Sequence, residues 1–232
     1  MERVKHLKLP MVFDPVRLQQ DLEHVLQHQW TAHYSTDNYE GNWTSVALLS
    51  TDGDATSIYA MPNSQQEPMV PTSVLNGCPY FQEVIAAFGF PITSCRLLRL
   101  DAGAVIKPHR DHCLGYEDGA FRLHVPIITN PGVEFILAGE RIIMDEGTCW
   151  YINANEEHSV ANRGTANRIH FVIDGERNAW SDALFYALAP EEAFRKEEGV
   201  MPAADKAAMI AELERMDTPA ARQLLEQLKS EG

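Results

Sequence analysis

Two histidines and one aspartate in the middle of the chain could together hold a metal ion. His109 and Asp111 are two residues apart, and Pro108 biases the residue before it toward extended geometry. In a strand, their side chains would share one face, with Cα atoms roughly 6.5–7 Å apart. His158 follows the polar loop 153–157, where a neighbouring strand could bring a third ligand. Such a set leaves one face of the ion open, as in non-haem Fe(II) oxygenases, but a surface His–Asp pair at a strand end is an equally good interpretation.

A second feature is an arginine in a strand-like run at residues 167–174. Alternation places Arg168, His170 and Val172 on one face and Ile169, Phe171 and Ile173 on the other. An arginine inside a small barrel is costly unless it meets an anion. The far carboxylate of 2-oxoglutarate would supply one with bidentate geometry. The alternative is an arginine exposed on an edge strand.

The same Arg-x-His spacing recurs at residues 121–127. Arg122 and His124 share one face there, opposite Leu123, Val125 and Ile127. We interpret Arg122 as the partner of another carboxylate, from substrate or cosubstrate, and His124 as a neighbouring donor. An ion pair between Arg122 and an acid of the chain is the competing interpretation.

The other histidines carry weaker signals. His170 shares the face of Arg168 and could support it. The remaining five are interpreted as solvated or structural: His6, His24, His28, His33 and His112. Trp43, Trp150 and Tyr151 are interpreted as packing residues.

The elements that must position these residues are mostly short strands. Asp14-Pro15 starts a predicted amphipathic helix over 14–29, and Pro79–Phe88 is predicted as a second helix. Residues 30–77 read as irregular chain with one strand near Val46–Leu49. Six strands are predicted between 94 and 174, at Cys95–Leu100, Phe121–Ile128, Val133–Leu137, Arg141–Met144, Cys149–Ile152 and Arg168–Ile173. This pattern predicts a mainly β fold, a double-sheet jelly roll with flanking helices.

Composition narrows the class of protein further. The 232 residues are 45% hydrophobic and 22% charged, which is typical of a folded chain, and the net charge of −14 disfavours nucleic acid and anionic membranes as partners. The four cysteines lack C-x-x-C spacing, which favours reduced thiols in a cytoplasm. We find no signal-peptide pattern and no run of 18 apolar residues, so a cytoplasmic protein is expected.

Together these motifs resemble the aspartyl/asparaginyl β-hydroxylase family over approximately residues 8–180. The matching stretches are His109–Asp111, Arg122–Ile127, Asn130-Pro131, Gly147–Asn153, His158–Asn162 and Arg168–Asp174, with Gly41–Trp43 and Cys78–Phe81 upstream. The resemblance implies a double-stranded β-helix that uses Fe(II), 2-oxoglutarate and O₂. It also implies hydroxylation at an unactivated carbon, with release of succinate and CO₂.

Carried over by position, the resemblance assigns roles to six residues. His109, Asp111 and His158 match the iron ligands, Arg168 matches the 2-oxoglutarate anchor, and Arg122 and His124 match positions near cosubstrate and substrate. We expect an oxygenase domain over 1–187, with its jelly-roll core at about 94–175, and a C-terminal helical extension over 188–232, with helices at Ala203–Met216 and from Thr218.

The substrate and two other functions stay open. The substrate is expected to be a small molecule or a peptide or protein side chain that carries a carboxylate, and the oligomeric state is not predicted. A cupin-type metal isomerase or lyase is one alternative, although it would not need Arg168 as an anchor. A non-catalytic ligand-binding domain is the other, although a complete ligand triad argues against it.

Overall fold

A computed structural model describes residues 3–57, 68–111 and 113–196. The predicted helices at Ala203–Met216 and from Thr218 lie outside the described residues, as does His112. The compact unit that contains the strands runs to Arg195. A separate extension from residue 188 therefore stays a prediction.

The described residues form thirteen strands and four α-helices. The strands, numbered along the chain, are β1 (His6–Val12), β2 (Thr31–Ala32), β3 (Tyr39–Glu40), β4 (Trp43–Ser50), β5 (Val70–Pro71), β6 (Ile92–Leu100), β7 (Val105–His109), β8 (Ala120–Ile128), β9 (Val133–Leu137), β10 (Glu140–Ile142), β11 (Thr148–Ile152), β12 (His158–Asn162) and β13 (Arg168–Glu176). The helices are α1 (Pro15–Val25), α2 (Ser73–Asn76), α3 (Pro79–Ala86) and α4 (Ala179–Tyr186), with 3₁₀ turns at Thr36–Asn38, Tyr116–Asp118 and Glu191–Phe194.

These strands pair into two antiparallel sheets, and the predicted jelly roll is confirmed. The larger sheet has the order β1-β11-β8-β13-β6-β4-β2, with β5 beside β4, and the smaller sheet has the order β10-β9-β12-β7-β3. All six predicted strands are present, with ends shifted by a few residues. Residues 30–77 hold more structure than expected, because β2, β3 and β5 are two-residue strands whose only signal is a partner elsewhere in the chain.

The two faces of the larger sheet bury different cores. One face packs on α1 and α3 through residues that include Leu18, Phe81 and Phe171. The other face meets the smaller sheet in a second cluster that includes Leu98 and Phe135. Alternation along β13 therefore turns its odd-numbered apolar residues toward the helices and its even-numbered residues toward the space between the sheets.

Local sequence signals explain how the helices and turns begin and end. The Asp14 carboxylate accepts hydrogen bonds from the amides of Val16 and Arg17, so it caps α1 as expected. Gly147 has a φ of +76°, and a Cβ there would lie 2.2 Å from the carbonyl oxygen of Phe13. Only glycine fits this turn before β11 without strain.

Two further sequence-level expectations concern thiols and membranes. All four cysteines are free, and Cys113 alone among them is exposed. Within the described residues, no helix combines the length and apolar character needed to cross a bilayer.

Candidate metal and cosubstrate site

The predicted ligand triad comes together where β7 and β12 run side by side. His109 ends β7 and His158 begins β12, and the two residues lie directly opposite each other in the strand register. Asp111 lies beyond the end of β7, where its amide donates to the carbonyl oxygen of Ala154 at 2.9 Å. One ligand atom from each of the three residues lies within 4.8 Å of the others. The convergence of the three side chains was expected. The prediction that His109 and Asp111 share one strand face was wrong, because a loop contact places Asp111 beside the two histidines.

Both histidines present the same ring nitrogen to the centre of the cluster. Nδ1 of His109 lies 2.8 Å from the carbonyl oxygen of Lys107, and Nδ1 of His158 lies 2.9 Å from that of Glu156. A carbonyl oxygen can only accept, so Nδ1 carries the proton and Nε2 keeps its lone pair. Burial, aided by the nearby His109, lowers the pKa of His158 to about 4, so this ring is neutral at physiological pH.

The aspartate is held as an ionised, oriented carboxylate. Its Oδ2 accepts a hydrogen bond from Nη1 of Arg122, whereas Oδ1 lies 3.8 Å from Nε2 of His109. Burial by itself raises the pKa of Asp111, but the Arg122 guanidinium and the two histidines outweigh it and leave the pKa below its usual value. Two imidazole lone pairs and one carboxylate oxygen are a donor set that suits Fe(II).

Arg122 belongs to a buried chain of alternating charges. Its Nε and Nη2 donate to the two carboxylate oxygens of Asp174 at 2.6 and 2.9 Å, and Asp174 also lies 3.4 Å from Nη2 of Arg96. The ion-pair interpretation of Arg122 therefore accounts for its charge, and the argument that its burial requires a ligand anion was wrong. A direct contact between Arg122 and a ligand stays a prediction.

Sequence reasoning missed Asp174 and Arg96, although a signal for them exists. Arg96 is a charged residue inside a predicted strand and Asp174 directly follows another, and continued alternation places Asp174 on the face of Arg168. Their partners could not be identified from periodicity. Asp174 of β13 lies opposite Arg122 of β8 in the strand register. Arg96 of β6 lies opposite Val172 on the other side of β13.

Arg168 differs from the other buried arginines because it lacks an acidic partner. Its side chain is 2% exposed, and no carboxylate among the described residues pairs with it. Nη2 lies 2.9 Å from Nδ1 of His170, the guanidinium lies 5.9 Å from the ring centre of Phe135, and Nε has no hydrogen-bond partner. Burial lowers its pKa to about 9. Arg168 is thus a buried cation without a counter-ion in the part of the chain that the structure describes.

One cavity of about 340 Å³ connects all six predicted site residues. Its lining includes the three triad residues together with Arg122, His124 and Arg168. His124 is buried, and its Nδ1 lies 3.4 Å from Nδ1 of His170. Burial, followed by the charge of Arg168, holds the pKa of His124 well below its usual value, so it serves as a neutral polar group.

His33, interpreted from the sequence as solvated or structural, also lines this cavity. Its ring stacks on that of Trp43 at 3.5 Å between centroids. Trp43 packs in the core between the sheets, as expected, but also contributes to the cavity wall. No pattern around His33 predicts this position, because it depends on how the segment before β4 folds back over the sheet.

Comparisons with known proteins identify the family of the chain. The family model described as Aspartyl/Asparaginyl beta-hydroxylase matches residues 15–178. The L-proline cis-4-hydroxylase of Rhizobium meliloti (strain 1021) is 27% identical over 174 residues, which cover 74% of this chain and 61% of that protein. The chain thus spans about three fifths of the length of this relative.

A solved structure shows the same fold at low sequence identity. An oxidoreductase of the 2OG-Fe(II) oxygenase family from Burkholderia pseudomallei superposes with a TM-score of 0.51 and 13% identity, covering 75% of this chain and 86% of that one. A prolyl-4-hydroxylase from Pseudomonas putida has a TM-score of 0.48 and 8% identity, covering 75% and 94%. Because the family model matches most of its length, the chain belongs to the aspartyl/asparaginyl β-hydroxylase family.

Proposed function

We propose that this protein is an Fe(II)- and 2-oxoglutarate-dependent hydroxylase of a small, amino-acid-like molecule that carries a carboxylate. The observation that carries the proposal is the presence, in one cavity, of a three-residue metal-ligand set and a buried arginine without an acidic partner. Family membership and the hydroxylase relative support the same class of reaction.

The metal would be held by Nε2 of His109, Nε2 of His158 and Oδ1 of Asp111. Bound there, Fe(II) would activate O₂, the oxidant, so that one oxygen atom enters a C–H bond of the substrate and the other converts 2-oxoglutarate to succinate with release of CO₂. The residues of this chain orient the metal ligands. Backbone carbonyls fix both imidazole tautomers, and Arg122 holds the second oxygen of Asp111, so that the free lone pairs converge before any ion binds.

Arg168 would bind the far carboxylate of 2-oxoglutarate. A buried guanidinium that lacks a counter-ion loses its hydration without compensation. A dicarboxylate would offset this cost through charge-assisted hydrogen bonds. His170 supports this role because its Nδ1 holds one Nη group and leaves the rest of the guanidinium for a ligand. His124 lines the cavity beside it and would be a neutral donor or acceptor for either ligand.

The charges around the cavity favour an anionic substrate. Among the described residues, the interior of the cavity has three arginines and two carboxylates, namely Arg96, Arg122 and Arg168 against Asp111 and Asp174. Arg110 is left out of this count because it lies at the rim, where Glu156 is 3.8 Å away. Fe(II) adds two positive charges and 2-oxoglutarate adds two negative ones, so one positive charge remains for a substrate carboxylate. The volume is near the lower end of the range for ligand pockets, about 300–1,000 Å³, which favours a free small molecule.

The experiment is a screen of the purified, Fe(II)-loaded protein against free amino acids, including L-proline, the substrate in the relative's name. We expect one or more of them to stimulate succinate formation and to gain one oxygen atom by mass spectrometry. His158→Ala is the matched control and should lose both signals. Failure of the wild-type protein to bind Fe(II) or to convert 2-oxoglutarate would refute the proposal. A cupin-type isomerase would instead change a substrate without consuming 2-oxoglutarate.

A further inference from the structure

His33 has a rigid place in the wall of the cavity. Its ring lies nearly parallel to that of Trp43, at 3.5 Å and 10°, and its other neighbour is the ring of Tyr34 at 4.5 Å and 28°. Trp43 in turn lies 6.5 Å from the ring of His109. His33 is therefore fixed one aromatic ring away from the proposed metal ligands.

The hydrogen bonds of His33 determine which ring nitrogen can donate. The amide of Ser35 donates to Nδ1 at 3.3 Å, so Nδ1 is unprotonated and the neutral ring carries its proton on Nε2. No other residue that the structure describes forms a hydrogen bond with Nε2. Burial, and then the charge of Arg96, lowers the pKa of His33 to about 4, so the ring stays neutral near pH 7. The result is an oriented N–H donor with no hydrogen-bond partner among the described residues.

The neighbourhood of His33 suits the substrate better than the cosubstrate. Tyr34, Ser35 and Asn38 line the same cavity and come from the same stretch of chain, and none of them lies on the strands that carry the proposed metal ligands or Arg168. The charged neighbour with the strongest influence on His33 is Arg96. A neutral N–H donor close to a cation is an arrangement that recognises one oxygen of a carboxylate.

We propose that His33 is a substrate-binding residue whose Nε2–H donates to a carboxylate oxygen of a free amino acid. This inference rests on the proposed function, because it assigns a substrate contact to the same cavity. It adds a specific donor that family membership and the metal-ligand set do not identify.

Two substitutions separate the donor from the stacking ring. His33→Phe keeps an aromatic ring against Trp43 and Tyr34 but removes the N–H group, whereas His33→Gln loses the ring and keeps an amide donor. His28→Phe is the matched control, because His28 is exposed and does not line the cavity. The measurement is the apparent KM for the best amino acid of the screen and the apparent KM for 2-oxoglutarate, both from succinate formation.

We expect His33→Phe to raise the KM for the amino acid about tenfold to a hundredfold, the range for a hydrogen bond to a charged group. The KM for 2-oxoglutarate should change much less. His33→Gln should recover part of the affinity for the amino acid, and His28→Phe should behave as the wild-type protein.

Three results would overturn the inference. The first is a wild-type KM for the amino acid in His33→Phe. The second is an equal loss in His33→Phe and His33→Gln, which would mean that the imidazole matters for its shape and not as a donor. The third is a wild-type protein that makes succinate with Fe(II) and 2-oxoglutarate but responds to no free amino acid. In all three, continued conversion of 2-oxoglutarate by the wild-type protein would leave the proposed Fe(II)- and 2-oxoglutarate-dependent activity standing, although the third would remove a free amino acid as its substrate.

Discussion

Replacing Arg168 with methionine should make the ligand-free protein more stable while it abolishes 2-oxoglutarate binding. Burial lowers the pKa of Arg168 to about 9, which corresponds to a cost on the order of 5 kcal/mol for keeping the cation in the folded protein. At pH 7, below the pKa of the folded state, the whole cost is present, and it is relieved only as the pH rises above about 9. Methionine fills similar space without a charge.

The matched control is Arg122→Met, for which we expect the opposite sign. Arg122 is also buried but pairs with Asp174 and Asp111. Removing it leaves Asp111 without its arginine and Asp174 with Arg96 alone, and breaking a buried ion pair in this way destabilises proteins by about 3–5 kcal/mol. Two substitutions of the same chemistry in one cavity should therefore move the free energy of unfolding in opposite directions, because only one of the arginines has counter-ions.

Both effects can be measured by thermal and urea unfolding of the metal-free proteins at pH 7. A change of 1 kcal/mol shifts the Tm of a protein of this size by about 2–4 °C. A second measurement adds 2-oxoglutarate to the metal-loaded proteins, where a concentration of 100 Kd should stabilise the wild type by about 2.7 kcal/mol and leave Arg168→Met unchanged. A destabilised Arg168→Met variant that is still stabilised by 2-oxoglutarate would refute the reasoning.

Three further predictions follow from the same structure. His109→Ala and His158→Ala should each lose stoichiometric Fe(II) binding, measured by metal analysis after gel filtration, and a variant that keeps one iron per chain would contradict the ligand assignment. The wild-type protein should lose stability as the pH falls from about 6.5 toward 4, because the unfolded chain binds a proton that the half-buried ring of His33 resists. His33→Phe should flatten the dependence of the unfolding free energy on pH by at most about 1.4 kcal/mol per pH unit, and an unchanged slope would mean that this ring is accessible to protons. Gly147→Ala should lower the free energy of unfolding by about 1–3 kcal/mol, since it adds a Cβ against the carbonyl oxygen of Phe13 at a positive φ, and urea denaturation showing wild-type stability would disprove this close approach.

The sequence by itself determined the fold class and the residue types of the site. Period-two alternation identified the six central strands and separated the face of Arg168 and His170 from that of Phe171, because side-chain direction along a strand is a local property. The H-x-D spacing and the later histidine predicted the ligand triad, and Asp14-Pro15 predicted the start of α1. Apart from the link to His158, which lies 47 residues beyond Asp111, these signals are readable because each depends on residues only a few positions apart.

Only the tertiary structure decided which charges are already paired. Arg122 and Arg168 have the same Arg-x-His context in sequence, yet Arg122 faces Asp174 across β8 and β13, whereas Arg168 faces no acid in the described part of the chain. The loop contact that positions Asp111 and the fold of the segment that brings His33 into the cavity were equally hidden. Periodicity gives the face of a residue within its own strand, but the partner across the sheet depends on register and on contacts between distant parts of the chain.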